Sequence, residues 1–381
     1  MKKFLIAPDS FKGTASASEI CEIGKNAISK IIPDAEFSLL PIADGGEGTA
    51  DCFLSCLGGE KVTLQVTGPH FSPVTASYAI AGGDTAVVEI ASAAGLPMAG
   101  ERNNPAESTT YGVGELICDA VGRGVQKIIL ALGGSCTNDA ACGLASALGV
   151  KFSDRNGKEF IPVGATLDKI SSIDLSAAKE KLSGVDVVAM CDIDNPLYGE
   201  KGAAYVFAPQ KGADDECVKL LDKNLVSFSK TVERVVGISV ASVPGAGAAG
   251  GAGAGAIVFL DATLQKGIDT VLDLCRFDKL AKEAELVITG EGRIDGQTTG
   301  GKAISGIAVR AKALGVPVAV IAGDIGDNIE PIYDMGVSFV LSTNRVAKSF
   351  SETKHRAKSD LALTFETLAR MIKTVEIQNK M

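Results

Sequence analysis

The sequence predicts an α/β protein: a Rossmann-like, flavodoxin-like doubly wound parallel sheet domain, plus a second, inserted α/β domain with a mixed sheet. Three observations predict it. Several units read as apolar strand, polar or glycine-rich loop, then amphipathic helix, the rhythm of parallel strands joined by crossover helices. Two stretches, about 60–104 and about 151–265, break that rhythm. The 44 glycines are dispersed in short clusters, which suits many tight loops rather than a low-complexity chain.

The first unit is the short apolar strand Phe4–Ala7 with its loop Asp9–Gly13. Ser16-Ala17-Ser18-Glu19 then forms a capping box, in which serine and glutamate satisfy each other's free amides. Ile20, Ile23, Ala27, Ile28 and Ile31 keep helical spacing. A second unit runs from Phe37–Ile42 through Ala43–Thr49 into a helix that reaches Leu54. Alternating runs at Val62–Val66, Val74–Ile80 and Thr85–Ile90 read as hairpin-type strands. Lys127–Leu132, Gly133–Asp139 and a helix through Leu148 make a third strand–loop–helix unit. Leu286–Thr289, Gly290–Gly301 and a helix through Leu314 make a fourth. Val316–Ala322 and Val337–Leu341 add buried strands. The expected division places 1–60, 105–150 and 266–381 in the Rossmann-like domain and 61–104 and 151–265 in the second. The cleft between them is the natural ligand site.

Composition bounds the function. At 381 residues, with 46% hydrophobic and 22% charged, the chain can hold two cored domains. A formal net charge of −9 argues against nucleic acid or an acidic membrane surface as partner, but leaves room for a local pocket that takes a small anion. Nine cysteines show no metal-ligand spacing, and His70 and His355 are the only histidines, so neither a disulfide framework nor a histidine metal site is expected. No run of about 18 apolar residues occurs, and Pro8 and Asp9 interrupt the N-terminal apolar run. A soluble cytoplasmic protein is expected.

The run Cys191-Asp192-Ile193-Asp194-Asn195-Pro196-Leu197 follows the apolar strand Val185–Met190, so two carboxylates sit at a strand's carboxyl end. Asp-Asn-Pro is also good turn chemistry. Similar clusters follow other strands: Asp9–Thr14, Ala43-Asp44-Gly45-Gly46-Glu47-Gly48-Thr49, Gly133–Asp139 and Gly290–Asp295. Ligands of open α/β sheets bind outside the carboxyl ends of strands, so these loops are expected to converge. They combine acids, cations, hydroxyls and free amides, the inventory of phosphoryl transfer. Two near matches fail. Gly245–Gly250 fits GxGxxG after a candidate strand Ile238–Val243, yet no βαβ unit follows; the run reads instead as a phosphate-cradling or domain-contact loop, with a close-packed glycine helix start as the rival reading. Gly296–Ala303 has alanine where a P-loop needs Ser or Thr, and six residues separate it from its strand. Lys302 is still a candidate to meet an anion at the following helix start. No GxSxG elbow is present, and Glu89 and Glu107 read as ordinary polar positions.

Taken in order, Ala7–Gly13, Ile42–Thr49, Gly133–Asp139, Cys191–Leu197, Phe207–Ala213, Pro244–Gly251 and Thr289–Asp295 resemble the bacterial glycerate kinase type 1 family (glycerate 2-kinase), nearly end to end from residue 3 to about 375. The resemblance implies ATP-dependent phosphorylation of D-glycerate to 2-phosphoglycerate, with 3-phosphoglycerate less favoured, and ATP and Mg2+ as cofactors. The family more often has alanine at Cys136 and glycine at Ala140 and Ala141. On this reading Asp192 and Asp194 are metal-binding, with Asp192 also a base candidate; Asp44 and Glu47 rival them. Lys12 and Arg293 clamp the substrate carboxylate or the transferring phosphoryl group. Ser135, Thr137 and Asn138, with Gly133 and Gly134, cradle phosphate, and Lys211 is a third cation. Asp9, Ser10, Gly247, Glu291 and Lys302 complete the binding set. D-Glycerate is the expected small-molecule partner, with no nucleic acid or membrane, and a homodimer is left open. The alternatives are an NAD-dependent dehydrogenase of a small hydroxy acid and a non-catalytic binding module for such an acid.

Overall fold

The computed structural model describes residues 2–43, 48–100, 104–296 and 303–378. They form two compact units, Met1–Asp44 with Ile268–Met381, and Gly45–Gly267.

The first unit is built on a five-stranded, wholly parallel sheet. Its strands in chain order are Lys3–Ile6, Glu36–Leu39, Leu286–Ile294, Val318–Ile325 and Val337–Ser342. In space they lie second, first, third, fourth, fifth, which is the flavodoxin-like order. The expected capping box is present. The Ser16 hydroxyl accepts from the Glu19 amide at 3.2 Å and the Glu19 carboxylate accepts from the Ser16 amide at 2.9 Å, starting the helix Ala17–Ile31. That helix buries Ile20, Ala27 and Ile28 against Phe4, Ile6 and the Phe365 and Leu368 side chains of the last helix, Ala357–Gln378.

Gly24 marks the closest approach of those helices. A methyl there would lie 2.7 Å from the buried Phe365 ring and 3.1 Å from Ile6. Alanine would gain about 1 kcal/mol of helix propensity, but overpacking costs about 1–3 kcal/mol. Gly24→Ala is therefore expected to lower the urea midpoint, and an unchanged or raised midpoint would show that the helices can part without loss.

The second unit carries a six-stranded mixed sheet in the order Thr263–Gln265, Asp186–Met190, Lys127–Ala131, Thr85–Glu89, Pro73–Ala81, Gly59–Thr67. The first four run parallel and the last two continue as an antiparallel meander. A small antiparallel sheet of Glu159–Phe160, Lys151–Ser153 and Ser172–Asp174 lies apart from it in the pairing. The segment Ala248–Leu260, helical beyond a left-handed kink at Ala249, Gly250 and Gly251, is apolar on every side and almost wholly buried, as such a helix must be. Asp214 caps the 22-residue helix Asp215–Val236 by accepting from the Cys217 amide at 2.8 Å.

Three expectations are corrected. Residues 45–60 and 105–150 belong to the second unit, because Lys127–Ala131 pairs with Thr85–Glu89 and Asp186–Met190. The insertion is thus continuous, 45–267. Strand–loop–helix periodicity signals a buried parallel strand but does not say which sheet it joins. The strand expected to end at Thr289 continues to Ile294. Gly290, read as a loop signal, instead permits close backbone approach, since a Cβ there would stand 2.0 Å from the Ile321 carbonyl oxygen. Ile238–Val243 is not a strand.

Candidate active site

In the first unit, two of the expected loops do come together. The Asp9 amide donates to the Gly290 carbonyl at 2.8 Å and Ala7 to Ile288 at 2.7 Å, so the chain leaves the first strand alongside the third. Phe11 and Ala15 then bridge a tight turn, closed by the Thr14 hydroxyl donating to the Phe11 carbonyl at 2.8 Å and by left-handed Gly13. This turn presents Lys12 to solvent, while the Asp9 carboxylate is buried and accepts from the Ser10 amide at 2.6 Å. Arg293, near the end of the third strand, stands 3.6 Å from Asp295 and 3.9 Å from Asp324. Its side chain is 64% exposed, so these long contacts hold it weakly and leave it able to meet an anion. Glu291 lies half-buried within the same strand. A cavity of about 650 Å3 opens here, lined by Ser10, Lys12, Arg293, Asp324, Thr343 and Asn344 among others.

In the second unit, the loops after the parallel strands pack on one another. Gly133–Asp139 follows Lys127–Ala131, and Cys191–Leu197 follows Asp186–Met190. The glycine-rich segment 244–251 lies against both. The Gly247 amide donates to the Asn195 carbonyl at 3.1 Å, and Ala140 donates to Gly250 at 3.1 Å. A Cβ on Gly247 would sit 2.3 Å from the Pro196 carbonyl oxygen, and one on Gly250 2.1 Å from that of Thr137. The GxGxxG match is therefore a close-packing device here, and Gly247, expected in the binding set, has a packing role. Ala140, Ala141 and Ala249 all adopt left-handed conformations, as do Gly250 and Gly251. The family's usual glycines at 140 and 141 thus have a backbone reason: a Cβ is strained there.

Lys211 is the most unusual group. It is 3% exposed and donates to the Ser135 hydroxyl at 2.9 Å and the Thr137 carbonyl at 2.8 Å. Burial pulls its pKa down to about 8, against the weaker upward pull of Cys136 and Asp139. It is still mainly a cation at neutral pH. Beside it, Asn138 is wholly buried, and neither its amide atoms nor the Thr137 hydroxyl has a hydrogen-bond partner among the described residues. Buried polar groups are rarely left so, which makes this loop a candidate for meeting a polar ligand. Asp139, by contrast, is an anchor. Its carboxylate accepts from the Thr110 amide and hydroxyl, both at 2.8 Å, and from the Ala141 and Gly143 amides, both at 3.2 Å. Complete burial still pushes its pKa up, against the pull of these donors.

Asp192 and Asp194 are both exposed, and Asp192 accepts from the Gly267 amide at 2.8 Å. Asn195 fixes the loop by donating to the Lys201 carbonyl at 2.8 Å. No cluster of three potential ligands of the His, Cys, Asp and Glu type occurs among the described residues. Magnesium, however, is commonly held by one or two carboxylates completed by phosphate oxygens and water, so the donor chemistry of this pair fits it. Glu89, read as an ordinary polar residue, ends its strand in register with Ala131 and accepts from the Ala50 amide at 2.8 Å. That bond caps the start of the helix Thr49–Leu57, and burial raises the Glu89 pKa against the pull of the amide. Asp44, Glu47 and Lys302 lie outside the described residues. Sequence reading missed Asp324, Thr343 and Asn344, although the rule that found the other loops, polar residues where a strand ends, applies to them equally.

Fold and loops define a class: an α/β protein with anion-ready polar loops at the carboxyl ends of parallel strands in each of its two units. Comparison with known proteins narrows it. A sequence model described as the glycerate kinase family matches residues 4–373. A protein named glycerate kinase from Halalkalibacterium halodurans is 42% identical over 382 residues, covering 100% of both chains. The Escherichia coli protein named glycerate 2-kinase is 40% identical over 342 residues, covering 89% of this chain and 90% of its own. The crystal structure of a Salmonella typhimurium protein that carries a glycerate kinase 2 name superposes with a TM-score of 0.90 at 37% identity, covering 98% of this chain and 99% of that one. This chain belongs to the glycerate kinase family. No helix among the described residues is long and apolar enough to cross a membrane.

Proposed function

We propose that this protein transfers the γ-phosphoryl group of ATP to the 2-hydroxyl of D-glycerate, giving 2-phosphoglycerate and ADP. The observation that carries the reading is the 40% identity with the Escherichia coli glycerate 2-kinase, sustained over 342 residues. In the reaction the glycerate hydroxyl oxygen bonds to the γ-phosphorus, the bond from that phosphorus to the bridging oxygen of ADP breaks, and the hydroxyl proton passes to a carboxylate. Positioning and charge neutralisation do most of such work.

Each residue role is a proposal. Lys211, held by Ser135 and the Thr137 carbonyl, is the buried cation that meets substrate negative charge, and Asn138 and Thr137 add hydrogen bonds to oxygen. Gly133 and Gly134 contribute free amides beside them. Lys12 and Arg293 neutralise phosphate or carboxylate in the first unit. Asp192 and Asp194 would hold magnesium, which when bound offsets charge on the phosphate oxygens. Asp192 and Asp44 are the proposed candidates for accepting the hydroxyl proton. Location in the cytoplasm, where ATP is made available, and assembly as a homodimer belong to the same reading and are open to fractionation and light scattering.

The direct test is ADP release from purified protein, ATP and Mg2+ on addition of D-glycerate, followed by phosphorus NMR of the product. Reduction of a nicotinamide cofactor without ATP consumption would overturn the proposal in favour of a dehydrogenase. The close packing of Gly247 and Gly250 against neighbouring carbonyls disfavours that alternative. Asp192→Asn is expected to lower kcat by about 10²–10³-fold at saturating Mg2+. Unchanged turnover under those conditions would remove Asp192 from the site.

A further inference from the structure

We infer that the first unit's cavity is the nucleoside triphosphate site, with Thr343 and Asn344 at its nucleoside end and Lys12 and Arg293 at its phosphate end. The inference rests on the kinase reading but adds to it a place for one of the two substrates.

Topology gives the location. In a sheet ordered second, first, third, fourth, fifth, the connections reverse between the first and third strands, and a crevice opens outside their carboxyl ends. Lys12 follows the first strand and Arg293 lies on the third, so the two cations stand at that reversal. Asp324 lies on the fourth strand, and Thr343 and Asn344 directly follow the fifth. The cavity thus crosses four adjacent strand ends. Three interstrand steps span about 14 Å.

Size and chemistry then choose between the substrates. A three-carbon acid occupies a small part of a cavity of about 650 Å3, whereas pockets of roughly 300–1,000 Å3 suit much larger ligands. Two cations, Lys12 and Arg293, stand at the switch point, and the neutral hydrogen-bonding groups Thr343 and Asn344 follow the fifth strand; Lys348, farther along the chain, adds a third cation to the lining. Asn344 is set in place by its own amide, which donates to the Ser342 hydroxyl at 3.0 Å, while that hydroxyl donates to the Gly323 carbonyl at 3.4 Å. The Thr343 amide donates to the Ala322 carbonyl at 2.8 Å, continuing the ladder beyond the strand. The side chains of Arg293 and Asn344 are both exposed, so their loss does not open the core.

The test is calorimetric titration of the whole protein with ADP and, separately, D-glycerate, for wild type, Asn344→Ala and Arg293→Ala, with steady-state KM for ATP and D-glycerate alongside. Each variant is expected to weaken ADP binding and raise the KM for ATP by tenfold or more, while both constants for D-glycerate stay within twofold. Loss of glycerate affinity with ADP binding unaffected would overturn the inference and place the acid in the crevice. No change in either ligand would also overturn it. If wild type binds ADP through these residues but transfers nothing to D-glycerate, the acceptor assignment fails and the crevice assignment stands.

Discussion

Lys211→Met is expected to remove most phosphoryl transfer while leaving the protein folded. Its ammonium is buried, yet its protein partners are a hydroxyl and a backbone carbonyl. A cation in that position gains its full value only when substrate anion arrives, so its loss falls on the transition state. A drop in kcat/KM of about 10²–10³-fold follows if the side chain acts there. Stability should move the other way. Burial holds the folded pKa near 8, below the 10.5 of the free side chain, so folding disfavours the charged form. Between about pH 8 and 10.5 the unfolded chain binds the proton and the folded one does not, so wild-type stability rises with pH across that window. Below it the whole cost is present, on the order of 3 kcal/mol. The methionine variant has no such cost, and its melting temperature should match or exceed that of wild type at pH 7, with a flatter dependence above pH 8. In wild type, kcat/KM for the anionic substrate should decline as pH passes about 8, where this cation is lost. A variant whose kcat/KM stays within threefold of wild type would reduce Lys211 to a structural lysine.

Asp139→Ala should do the opposite and damage the fold first. Its carboxylate is the acceptor for three backbone amides and the Thr110 hydroxyl. That hydroxyl in turn accepts from the Leu144 amide at 2.9 Å, so one side chain ties the start of the helix Cys142–Leu148 to the segment before Tyr111–Gly122. Alanine leaves these donors buried and unmatched, at about 1–3 kcal/mol for each that water does not reach. A loss of about 3–5 kcal/mol is expected, read as the urea midpoint and as early hydrogen exchange at Ala141 and Gly143. A loss under about 1 kcal/mol would mean that the loop holds itself without the carboxylate.

The contrast between these residues shows what the sequence makes legible. Asp139, Asp192 and Asp9 all follow apolar strands, and nothing in their spacing separates a buried anchor from an exposed acid. Lys211 stands among the expected cations, but nothing in Pro209-Gln210-Lys211-Gly212 says that it is buried; only tertiary packing does that. The elements themselves were largely readable because capping, helical spacing and buried apolar runs are local. Membership was not. Lys127–Ala131 has the same signature in either sheet, and only its pairing partners decide. Nothing in the sequence singles out Ser342-Thr343-Asn344, since polar residues after a strand mean little until the strand order shows which ends border a crevice.

The alanines at 140 and 141 have a consequence for how this protein can change. Positions 251 and 255 face them: a Cβ on Gly251 would stand 3.2 Å from the methyl of Ala140, and one on Gly255 2.7 Å from that of Ala141. The nearer obstacle at 255 is backbone, since a Cβ there would stand 2.1 Å from the Ala140 carbonyl oxygen, and Gly251 has a left-handed backbone with φ of 87°. The glycine side of this contact is therefore closed to any side chain whatever stands opposite, while 140 and 141 stay free to lose their methyls, so drift here runs in one direction only.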